Sequence, residues 1–190
     1  MRTPLIPVVF LLGLAAGCAG QPTVKPIEVL DQRTGITLGT IKEPIELMPA
    51  PDNLLVTHRR GTFVYLGPVE WNRSGDLSYG LWIHIAPGND KPLGDIRAAG
   101  AVTLILDEGP STLSLGEAPK NAGDAYKLVV SWGQSAYFGV TVDMLRRMAA
   151  SSKLGLDVRA VDGSLIRFSP TLDTRATLQG YLQARGITGD

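Results

Sequence analysis

The sequence predicts a mainly β, β-rich α+β domain: an antiparallel β-sandwich or open barrel with two short helices in its C-terminal third. Three observations predict it. The 22 glycines and 13 prolines are scattered between short apolar runs, which is the punctuation of many strands and turns. Several runs alternate apolar and polar residues, the period of a half-buried strand. Helical spacing appears only late, so strands and long helices do not alternate as a doubly wound parallel sheet requires.

The elements follow in order. Ile27 to Asp31 alternates, Asp31 to Gly35 is a turn, and Ile36 to Leu38 resumes. Pro44 to Leu47 and Leu54 to Thr57 are short β candidates. Thr62 to Leu66 clusters β-branched and aromatic residues, and Val69 to Trp71 extends it past a bulge or bend at Gly67-Pro68. Asn72 to Asp76 reads as a hairpin loop. Leu77 to Ile85 then alternates over nine residues, with Leu77, Tyr79, Leu81, Ile83 and Ile85 on one face and Ser78, Gly80, Trp82 and His84 on the other. Val102 to Leu106 and Thr112 to Leu115 are joined by Asp107 to Pro110. Tyr126 to Trp132 and Ala136 to Val140 suggest a hairpin turning at Gly133-Gln134.

Thr141 caps a helix to about Ser151, with Asp143 in its first turn and Val142, Leu145, Met148 and Ala149 as its apolar stripe. Leu154 to Val161 and Leu165 to Phe168 form a hairpin across Asp162-Gly163. A second helix is expected from Ser169 or Thr171 to Arg185, stopped by Gly186, with Leu172, Ala176, Leu178, Tyr181 and Leu182 on its apolar face.

The first eighteen residues carry an address. Arg2 is basic, Leu5 to Leu14 is apolar but for Pro7 and Gly13, and Ala15-Ala16-Gly17 leads to Cys18, the sole cysteine. A basic head, a short apolar run and small residues make a secretory signal. The apolar run is short of the roughly 20 residues that span a bilayer. This stretch resembles the lipobox signal of bacterial lipoproteins, although Ala15 stands where that family more often has Leu. The resemblance implies cleavage before Cys18 and acylation of its thiol with three chains, enough for firm anchoring. Ala19 is not the Asp that commonly retains such proteins in the inner membrane, so the resemblance implies an outer-membrane lipoprotein facing the periplasm. A plain secretory signal that leaves a free thiol is the alternative. The expected organisation is thus signal over 1–17, lipidated cysteine and tether over 18–26, and one domain over 27–190.

Composition narrows the function classes. Basic and acidic residues balance at 18 each, which gives no electrostatic case for nucleic acid. With Cys18 committed to lipid, no internal disulfide is available. Two distant histidines and no acidic loop pattern supply no metal cluster, and no cofactor motif is present. The stretch Gly133-Gln134-Ser135-Ala136-Tyr137 lacks the second glycine of a nucleophile elbow.

The remaining site candidates are weak ligand-binding ones. His58, Arg59 and Arg60 form a small basic turn that suits an anion, or is a solvated loop. Trp82 and His84 share a strand face, where they line a ligand cleft or belong to the core. Trp71 and Trp132 are expected in the core. The expected function is a non-catalytic binding or structural module, held to the membrane by its lipid and meeting an envelope protein or glycan. One alternative is an envelope hydrolase that gathers His84 or His58 with Glu70, Asp76 or Asp107. Another is a lipid or small-molecule carrier with a cavity between sheets.

Overall fold

A computed structural model describes residues 26–50, 61–88, 92–119, 124–127 and 130–187. Among the described residues, eleven strands form one antiparallel sheet, accompanied by two helices. The strands are β1 (Pro26–Asp31), β2 (Ile36–Ile41), β3 (Ile45–Pro49), β4 (Phe63–Arg73), β5 (Asp76–Ala86), β6 (Val102–Leu106), β7 (Gly109–Thr112), β8 (Ser114–Leu115), β9 (Gln134–Gly139), β10 (Gly155–Arg159) and β11 (Leu165–Pro170). The helices are α1 (Val142–Ala150) and α2 (Arg175–Ala184).

The spatial order is β7-β6-β10-β11-β3-β4-β5-β9-β8, with β1 on β2 and β2 on β4. Its two ends, β7 and β8, are neighbours in sequence with Leu113 between them. The sheet therefore curls almost to closure, and the expected β-rich fold takes the barrel form rather than the sandwich. Near-closure leaves few free edges. β1, β7 and β8 each pair along one side, and β1 is the longest of them.

One face of the sheet is the core. Register places Leu104, Leu156 and Phe168 on that face, and carries it through Leu47, Val64 and Ile85. Leu66, Ile83 and Ala136 continue it in the next row, and all of these residues are buried. Ile96 and the inward faces of the two helices belong to the same cluster.

β4 is the spine. It pairs with β5 over all eleven of its residues without a bulge, so the bulge expected at Gly67-Pro68 is not there. On its other edge β4 changes partner, from β3 at residues 64–66 to β2 at residues 69–73. Pro68 lies in that gap, where its missing N–H costs no ladder bond. The gap is closed by Tyr126. Its hydroxyl donates to the Pro68 carbonyl at 2.8 Å and accepts from the Ile41 N–H at 3.3 Å. Its ring lies over Gly67, where a Cβ would come within 2.3 Å of a ring carbon.

Turn chemistry fixes the hairpins. Ser74 and Gly75 both have positive φ between the paired Arg73 and Asp76, which is the two-residue turn whose twist matches the strands. Gly163, at φ 84°, turns β10 into β11, as its sequence predicts.

Two expected elements and one expected core residue differ. Of the expected hairpin partner, the described residues 126, 127 and 130–132 lie in no strand, and β9 lies between β5 and β8. Trp132 stands 69% exposed in the turn before β9, not in the core. α2 begins only at Arg175. Ser169 and Pro170 still belong to β11, because Pro170 pairs with Leu47, so Leu172 falls outside the helix. By contrast α1 matches its expected span, with the Thr141 hydroxyl accepting from the Met144 N–H at 3.1 Å.

Candidate functional site

His84 and Trp82 sit on the outer face of β5, as their alternation predicts, yet neither is open to solvent. His84 is 0% and Trp82 is 2% exposed. Tyr126 covers Trp82, its ring stacked at 4.9 Å. Trp82 stacks on His84 at 5.5 Å, and Tyr65 lies 6.1 Å from His84 on the other side. Gly133 closes over the imidazole, where a Cβ would meet Cε1 at 2.3 Å.

The structure makes one pairing that the sequence does not announce. His84 Nδ1 and Ser135 Oγ are 2.8 Å apart, because Ser135 is directly opposite His84 in the β5–β9 register. The pair has poor chemistry for a nucleophile. No carboxylate among the described residues hydrogen-bonds the ring, and Nε2 is buried without a partner. Burial pushes the His84 pKa down, against a smaller opposing pull from the Gln134 backbone. Taking a proton from Ser135 would leave an imidazolium enclosed among aromatic rings, which is costly.

The carboxylates considered with His84 lie elsewhere. Glu70 pairs with Tyr79, on the opposite face of the sheet. It is buried with Arg185, whose Nη1 is 3.7 Å from Glu70 and 3.5 Å from Glu28. Gly39 makes room for that guanidinium, since a Cβ would stand 2.8 Å from Nη1. Burial raises the Glu70 pKa, and the nearby Arg185 only partly offsets it. Asp76 closes the exposed β4–β5 hairpin. Asp107, in the β6–β7 turn, accepts from the Ser152 N–H and hydroxyl at 2.8 and 3.0 Å. Cys18, His58, Arg59 and Arg60 lie outside the described residues. No group of three or more metal-ligating side chains occurs among the described residues, and none of their helices is long and apolar enough to cross a membrane.

Open concave surface is found among the described residues at a place the sequence does not single out. Two hollows, of about 630 Å³ and 510 Å³, flank residues 170–174, which line both. The first is floored by Ile105, Gly155 and Ser169 on the outer face of β6, β10 and β11. Gly155 has no positive φ, so the backbone does not demand glycine there. What it supplies is a strand position without a side chain, and the floor stays low. Lys153, Arg167 and Arg175 enter the walls. Arg167 forks onto Asp157, with Nε and Nη2 each 2.7 Å from a carboxylate oxygen. Arg175 forks onto Asp173 in the same way, at 3.0 and 2.6 Å. The hydrogen bond from Arg175 lowers the Asp173 pKa to about 2.

The second hollow holds Tyr65, Glu43, Glu46 and Thr177. Between the two, Leu172 is 80% exposed. One signal for this site was present in the sequence: Ser169-Pro170-Thr171-Leu172-Asp173-Thr174 interrupts an otherwise periodic stretch with loop residues, and a lone leucine among them has no core to join.

No known protein family, curated protein or solved structure matches the chain.

Proposed function

We propose that this protein is a non-catalytic binding module of the bacterial envelope, held to a membrane by lipid on Cys18, with the double hollow around residues 170–174 as its ligand site. One observation carries the binding reading: two solvent-open hollows of ligand size meet along one ridge, and the ridge presents a leucine that is 80% exposed. The lipobox-like approach to Cys18 supports the anchor. An anchored module acts by being positioned, and needs no reacting group. The enclosed, uncharged His84–Ser135 pair favours this reading over the hydrolase. The packed aliphatic inner face of the sheet favours it over the carrier.

The test uses the full chain in intact cells, with a photo-crosslinking residue at position 172 and, as control, at Val161, which is 70% exposed on the β10–β11 hairpin. A discrete adduct at 172 that is absent at 161 is expected. Equal patterns at the two positions would sink the double hollow as the binding site.

A further inference from the structure

We propose that the ligand of the double hollow is an uncharged glycan chain, lying across the Leu172 ridge with sugar rings in both hollows. This rests on the binding-module reading above and assigns its ligand class.

Charge is the first argument. Across the two hollows the lining sets Lys153, Arg167 and Arg175 against Asp173, Glu43 and Glu46, and two of the cations are held in forks. Arg167 is held by Asp157 and Arg175 by Asp173. A site whose charges balance gives an incoming ion little net attraction. Yet each fork is unsaturated. A guanidinium has five N–H donors, and each arginine spends only its Nε and Nη2 groups on its aspartate. The carboxylates keep lone pairs. Donors and acceptors therefore stand side by side in fixed planes. The ligand group that uses both at once is the hydroxyl, which donates and accepts. Ser169 and Thr171 add hydroxyls of their own to the same wall.

The second argument is apolar surface. A sugar ring has C–H faces that need a flat or aliphatic partner. Tyr65 supplies a ring in the second hollow, beside the buried His84, with ring centroids 6.1 Å apart. Leu172 supplies an aliphatic contact between the two hollows.

The third argument excludes the main competitor. Extended peptides bind sheets by adding a strand to a free edge. The strands beneath these hollows offer none, because β10 lies between β6 and β11, and β11 between β10 and β3. A chain laid on the face of a fully paired sheet must be held by side chains. Two adjoining hollows suit a repeating chain of several rings better than one small ligand.

The experiment is titration calorimetry on the full chain in an amine-oxide detergent, since sugar-headed detergents would compete. The probes are maltotetraose, cellotetraose and chitotetraose, with inorganic phosphate as the charged comparison. At least one tetrasaccharide is expected to bind, with an affinity unchanged up to roughly 0.5 M salt, because no net charge is neutralised. Leu172→Asp and Asp173→Ala should each weaken that binding roughly tenfold or more, while Val161→Asp should not. Leu172 is exposed and outside helix and strand, so Leu172→Asp should melt with the wild type, whereas Asp173→Ala also removes the acceptor of the Arg175 N–H at the start of α2 and is titrated well below its own measured melting midpoint. Binding of phosphate alone, falling as salt rises, would overturn the glycan. So would binding of no tetrasaccharide, or ridge variants that bind as tightly as wild type. Any of these results with the adduct at position 172 retained would remove the glycan and leave the binding module. Loss of that adduct as well would remove both.

Discussion

Tyr126 performs two tasks at one point of β4. Its ring covers Gly67 and stacks on Trp82, and its hydroxyl satisfies backbone groups of Pro68 and Ile41 that β2 and β3 leave behind. Tyr126→Phe keeps the ring and strands both groups, so it should cost about 1–3 kcal/mol by denaturant unfolding. An unchanged midpoint would show that water replaces the hydroxyl. His84 contributes through its neutrality. Its unfolded pKa is 6.5 and burial lowers the folded value. The unfolded chain therefore takes up this proton first as pH falls. The contribution is complete above pH 6.5 and is lost as pH drops through the window below it. His84→Phe, which preserves a ring between Trp82 and Tyr65, should flatten the acid-side slope of stability below pH 6.5. A slope identical to wild type would place the titrating group elsewhere.

The second helix shows how the elements divide their work. Leu178, Tyr181 and Leu182 of α2 are buried, and Gln179 donates to the Ala149 carbonyl of α1 at 3.3 Å. Leu182→Ala should destabilise by about 2–5 kcal/mol, the range for a truncated core leucine. Leu172→Ala, ten residues earlier, should leave the melting midpoint unchanged, because that side chain buries almost nothing in the folded state. Reversed results would mean that the helix begins earlier than Arg175 and that Leu172 packs on the core. Both leucines fit one helical period in the sequence. They separate because Pro170 is claimed by β11, whose pairing with Leu47 outweighs the local preference for helix.

At the scale of the molecule, one sheet closes around one core without disulfides, and the chain leading into β1 carries the proposed lipid. Cys18→Ser should release the protein from sedimented membranes into the soluble fraction, since acyl chains supply the affinity. Partition equal to wild type would place membrane attachment in the folded part.

The β-rich class, the α1 span, the Asp162-Gly163 hairpin and the two-faced alternation of Leu77 to Ile85 were legible in the amino-acid order, because each rests on neighbours within one turn or one strand. Alternation also assigned Trp82 and His84 to one face. It could not tell whether that face is wet, because the loop holding Tyr126 is distant in sequence. The same limit hid the Ser135–His84 contact, the partner change at Pro68 and both hollows. Each is made by strands that meet across the sheet, in a register set by the whole core. Local order determined which segments are strands and helices, and what chemistry they carry. Long-range pairing alone decided which side chains meet, which are sealed from water, and where a surface stays open for a ligand.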